Sequence, residues 1–124
     1  MGKLYVSMNK IPWTNASGLG GVRQQIVYAD DVMIQKVEVL NPTYLSFHRH
    51  IETQVSFVIN GVMEISVEKG TDQFEKFRCS SGDVFYIPPN ALHDAKILSP
   101  DGASWLSFYS PLRISYKKYA YKLG

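Results

Sequence analysis

The sequence predicts an all-β chain folded as a single-domain jelly-roll β-barrel, and three observations carry that prediction. Short runs rich in β-branched and aromatic residues follow one another through most of the 124 residues. Turn chemistry separates them roughly every eight to twelve residues. None of the runs carries an apolar stripe at helical spacing. A chain of this length can bury one core but not two.

Taken in order, Gln25–Tyr28 and Val32–Val39 read as strands parted by Ala29-Asp30-Asp31, and Tyr44–Phe47 follows the turn Asn41-Pro42. Gln54–Ile59 and Val62–Glu68 flank Asn60-Gly61, which reads as a type I′ hairpin because both residues accept positive φ. Further turns are expected at Lys69-Gly70-Thr71-Asp72, Ser81-Gly82-Asp83, Pro88-Pro89-Asn90 and Pro100-Asp101-Gly102. The resulting organisation is an N-terminal arm and loop (1–21), a barrel (22–112) and a C-terminal tail (113–124) packing on the barrel or on a dimer partner.

Composition excludes several function classes. A net charge of +2 with scattered basic residues gives no nucleic-acid footprint. The apolar stretches are too short for a membrane span and the N-terminus lacks a leader's apolar core, so a cytoplasmic protein without membrane or nucleic-acid partners is expected. Cys79 is alone and reads as a buried, inert thiol. The glycine-rich Asn15–Gly21 lacks both the strand-loop-helix setting and the Lys-Ser/Thr of a phosphate cradle, so it reads as a plain loop. Tyr116, Tyr119 and Tyr121 interleave with Lys117, Lys118 and Lys122; a packed tail explains the pattern more simply than a nucleic-acid strap.

Chemistry concentrates on the three histidines. In an extended strand, side chains two apart share a face, so His48 and His50 converge without help from a turn, and His93 follows the turn after Gly82-Asp83-Val84-Phe85-Tyr86-Ile87-Pro88-Pro89-Asn90. Three imidazoles with an open position suit one divalent transition ion (zinc, nickel, manganese or iron) that meets a substrate.

These residues resemble the cupin family. His48-Arg49-His50-Ile51-Glu52-Thr53-Gln54 through Gly61 is similar to the first cupin motif, and Gly82 through His93 to the second, with Asn90 in place of the middle glycine. Asparagine is the other residue that tolerates a left-handed backbone. The resemblance implies a barrel with the ligand set His48, His50, Gln54 and His93, with Gln54 standing where most cupins carry glutamate. An amide brings no charge, so the ion keeps close to its full charge. That favours redox-silent Lewis-acid chemistry over oxygen activation. Glu52 is expected to turn away from the ion.

A closer likeness, spanning Val22–Tyr28, Gly82–Asn90 and Phe108–Arg113, is to small single-domain cupins that linearise unsaturated uronic acids. It implies Arg113 and Tyr109 as catalytic residues, with Arg113 gripping a substrate carboxylate. Ser107 stands where that group has an acid, and serine is no proton carrier near neutral pH. Strand parity adds Gln35 and Tyr86 as substrate-binding candidates beside Ser107. The implied ligand is a small anionic sugar acid and the implied assembly a homodimer. A polyketide cyclase, a dioxygenase-type cupin and a non-catalytic sugar-binding barrel remain as alternatives.

Overall fold

A computed structural model of the chain describes residues 2–16 and 21–124, so the glycine-rich loop lies largely outside the described residues. The strands are β1 (Thr14–Asn15), β2 (Val22–Ala29), β3 (Val32–Val39), β4 (Thr43–His48), β5 (Thr53–Asn60), β6 (Met63–Gly70), β7 (Gln73–Cys79), β8 (Val84–Ile87), β9 (His93–Ile97), β10 (Ala103–Ser110) and β11 (Ala120–Lys122). They form two sheets. The larger runs β1-β2-β3-β10-β5-β8, with β11 added in parallel to β2, and the smaller runs β4-β9-β6-β7. This is the jelly roll the sequence predicts. No described helix is long and apolar enough to cross a membrane.

One turn differs from its expectation. Only Gly61 takes positive φ at Asn60-Gly61, and β5 and β6 belong to different sheets. The turn therefore carries the chain across the barrel instead of closing a hairpin. Local turn chemistry cannot distinguish the two, because the choice of partner strand lies with the inward residues.

Strand parity builds the interior. Val37, Val58, Trp105 and Phe85 from the larger sheet meet Met63, Ile65 and Ile97 from the smaller in one buried cluster. Cys79 lies in it, and burial pushes its thiol pKa up, in keeping with an inert role. Toward the other end of the same strands the inward positions turn polar. Gln35, Ser107 and Ser56 sit directly opposite one another across β3, β10 and β5. A second buried cluster, Ile26, Met33 and Tyr109, packs against Tyr116 and Ala120 of the tail, whose residues 114–119 form a 3-10 segment.

The turn into β10 needs a particular glycine. Gly102 has φ +84°, and a Cβ there would run into the carbonyl of Val39, whereas Gly82 has φ +89° and open space around it. Gly102→Ala is expected to cost about 3 kcal/mol or more and Gly82→Ala only about 1 kcal/mol, read by urea denaturation. Equal costs at both positions would contradict the packing described for the β9–β10 turn.

Candidate metal centre

The three histidines come from the smaller sheet and the turn beside it. His48 ends β4 and lies opposite His93, the first residue of β9. The His-x-His spacing predicts His48 and His50 along one strand; in the structure β4 ends at His48, and His50 belongs to the turn before β5. That turn is pinned from the second motif, because the Asn90 backbone N–H donates to the His50 carbonyl at 2.8 Å and Asn90 takes the left-handed φ of 63°.

Each ring faces a backbone carbonyl through Nδ1. His48 Nδ1 is 3.0 Å from the Ser46 oxygen, His50 Nδ1 3.0 Å from the Glu52 oxygen, and His93 Nδ1 2.8 Å from the Ala91 oxygen. A carbonyl can only accept, so Nδ1 carries the proton in all three rings and every Nε2 is left with a bare lone pair. One nitrogen from each ring lies within 4.8 Å of the others. Burial, reinforced by the charge of Arg113, lowers the His50 pKa; burial takes that of His93 down to about 4. Both rings are neutral near pH 7 and ready to act as ligands.

Gln54, on β5 of the opposite sheet, completes the set. Its Oε1 lies 3.0 Å from His50 Nε2. With the proton on Nδ1, this contact sets two acceptors against each other with no hydrogen between them. Two donors bound about 2.1 Å from one ion at right angles lie about 3 Å apart, so the contact has the spacing of neighbouring metal ligands. The described residues therefore fit a divalent ion, with His48, His50, His93 and Gln54 as its holders.

Around this centre the chain adds a fixed hydrogen-bonded wall. The Tyr109 hydroxyl donates to Gln35 Oε1 at 2.8 Å, and Gln35 Nε2 donates to Gln24 Oε1 at 2.8 Å. Burial raises the Tyr109 pKa further, so this phenol serves as a hydrogen-bonding wall and not as a proton carrier at neutral pH. Arg113 lies 4.0 Å over the Tyr116 ring and donates to the Tyr116 hydroxyl at 2.7 Å. Its Nε is 3.6 Å from Glu52 Oε1.

Three of these partners escaped the sequence analysis. Glu52 is not in the group that converges with the three histidines; it is buried on the Nδ1 side of His50 and paired with Arg113. Tyr116 had been read only as part of a packed tail, and Gln24 was not singled out. For Gln24 a signal existed, since it shares the inward parity of Val22 and Ile26 on β2.

Two candidates are placed differently from the expectation. Tyr86 faces outward, 54% exposed, while its neighbours Phe85 and Ile87 point inward. Val84–Ile87 is apolar throughout, so alternation gave no handle on its parity. Ser107 is fully buried and off the cavity wall, with its hydroxyl 3.3 Å from Gln54 Nε2 and 2.8 Å from Ser56 Oγ. It stands behind a ligand instead of touching a substrate.

A cavity of about 540 Å³ opens on the centre. His48, His93, Gln54, Gln35, Tyr109 and Arg113 line it, and the tail contributes Ser115, Tyr116, Lys118 and Tyr119. Arg49 and Lys118, both exposed, also border it, so with Arg113 three basic side chains line the cavity. The only carboxylate on its wall among the described residues, Asp94, accepts a hydrogen bond from Tyr44 at 2.8 Å.

Residues 36–109 match the family described as Cupin domain. Among solved structures, KdgF from Halomonas sp. is 28% identical, with a TM-score of 0.73 over 86% of this chain and 94% of that one. An RmlC-like cupin from Shewanella frigidimarina is 23% identical, with a TM-score of 0.76 over 90% and 94% of the two chains. Bacillus subtilis oxalate decarboxylase is 15% identical with a TM-score of 0.79; the match covers 93% of this chain but only 32% of that enzyme. The last two likenesses show the fold alone. No curated protein matches the chain.

Proposed function

The chain belongs to the cupin family, and we propose that it is a metal-dependent enzyme that opens or tautomerises a small anionic sugar, most simply an unsaturated uronic acid. The observation that carries this reading is the uncharged ligand set, three bare imidazole nitrogens and one amide oxygen, placed at a cavity walled by cations. The likeness to KdgF and the resemblance of Phe108–Arg113 to uronate-linearising cupins support the same substrate class.

When bound, a divalent ion supplies Lewis acidity, undiminished by any ligand charge, for polarising a carbonyl, hydroxyl or water. The protein's own part is binding and orientation. Arg113 is ion-paired with Glu52 at 3.6 Å and spends one Nη1 hydrogen on Tyr116, which holds it against the Tyr116 face and leaves its remaining hydrogens for a substrate carboxylate. Tyr109, anchored on Gln35, fixes the wall against which the sugar ring rests. Arg49 and Lys118 draw an anion toward the mouth. The reaction is an isomerisation: the anomeric O–H and the bond from the anomeric carbon to the ring oxygen break to leave an aldehyde and an enol, and a hydrogen returns at carbon as the enol becomes a ketone, so no oxidant is consumed.

A second reading has one observation in its favour. Ser107 replaces the acid that the resemblance leads one to expect, and the Tyr109 hydroxyl holds its proton tightly, so the wall is poor in proton carriers. A binding barrel without turnover would have that character.

Purified protein loaded with zinc or nickel is expected to remove the ultraviolet absorbance of an unsaturated uronate, to lose that activity on chelation, and to take up no oxygen. Arg113→Lys should lower kcat/KM by about ten- to a hundredfold, chiefly through KM, because the flat two-pronged grip is lost. Gln54→Glu should keep the ion and change kcat. Oxygen uptake, or uronate binding that survives chelation without turnover, would overturn the proposal, and an unchanged kcat in Gln54→Glu would remove the charge argument.

A further inference from the structure

The two ends of the Gln54 amide are almost identical in shape, yet only Oε1 can serve an ion. What selects the end lies behind the ligand. Gln54 Nε2 is 3.0 Å from Ser56 Oγ and 3.3 Å from Ser107 Oγ, and the two hydroxyl oxygens are 2.8 Å apart. Both serines are fully buried. With Oε1 turned to the histidines, the amide's N–H side faces both serine oxygens, and a hydroxyl hydrogen remains for the short Ser56–Ser107 contact. With the amide reversed, only the two hydroxyl hydrogens would be left for three oxygen–oxygen contacts of 2.8 to 3.3 Å, so one of the three would have no hydrogen between its oxygens. It would also turn an NH2 group toward the ion.

We propose that Ser56 and Ser107 are positioning residues that set which end of the Gln54 amide faces the metal centre. This gives Ser107 a purpose in place of the acid expected there: the position serves the ligand, and the wall loses a proton carrier as a consequence. The inference rests on the proposed metal centre.

A double-variant comparison tests it by zinc titration calorimetry and by the visible spectrum of the cobalt-loaded protein, neither of which requires turnover. Ser56→Ala with Ser107→Ala should weaken zinc binding about ten- to a hundredfold in the Gln54 background. In a Gln54→Glu background, both ends of the side chain are oxygen and orientation no longer matters, so the same pair of changes should cost less than about threefold. Each single serine change should give an intermediate loss, which keeps the comparison readable if the double variant does not fold. Equal losses in both backgrounds, or no loss with Gln54, would overturn the inference alone. A wild-type chain that binds neither ion would overturn the metal centre and this inference with it.

Discussion

Three imidazole nitrogens with no hydrogen on them, turned toward one point inside a barrel, are the constraint on which the site depends. Each ring is fixed by its own neighbourhood, with Nδ1 held on the carbonyl of a residue two positions away. That arrangement places like against like. Two of the three rings are buried, and lone pairs brought together there repel one another and gain nothing from apolar surroundings, so positive charge at their focus favours the geometry. Burial reinforces the point by disfavouring the protonated rings that would otherwise supply that charge.

The larger sheet answers the smaller one. Its strands carry apolar residues inward over one stretch and amides and hydroxyls over the next, so a single layer of the barrel serves as core at one end and as ligand support at the other. Such a belt is tolerable only when it is satisfied. The pairings among Gln24, Gln35, Tyr109, Gln54, Ser56 and Ser107 achieve this for all but the Gln54 Oε1 turned to the histidines, and away from that centre Thr14 Oγ1 is the one buried side-chain polar atom among the described residues without a partner. The tail closes the arrangement from outside: β11 pairs with β2, and the 3-10 segment before it carries Tyr116 under Arg113.

Much of this was legible in the residues. Strand positions followed from β-branched runs between turns, and the meeting of the three histidines from their spacing across two motifs. What escaped has physical reasons. Asn60-Gly61 has the chemistry of a hairpin, but partner choice belongs to tertiary packing, which sent β6 to the other sheet. Tyr86 sits in an apolar run where parity is mute, and only the pairing of β8 with β5 sets it opposite Val55 on the outside. Glu52 and Tyr116 gain their roles through Arg113, which reaches both only after the chain has closed on itself. Ser56 could have been found, since it lies two residues beyond Gln54 in a strand and must share its face.

Anomalous diffraction at the zinc edge, from crystals of the zinc-loaded chain, tests the central claim most directly. The account predicts one ion about 2.1 Å from Nε2 of His48, His50 and His93 and from Oε1 of Gln54, with every Nδ1 still on its carbonyl. Rings bound through Nδ1, an ion seated elsewhere, or three histidines separated by ordinary solvent in the presence of ample zinc would contradict it.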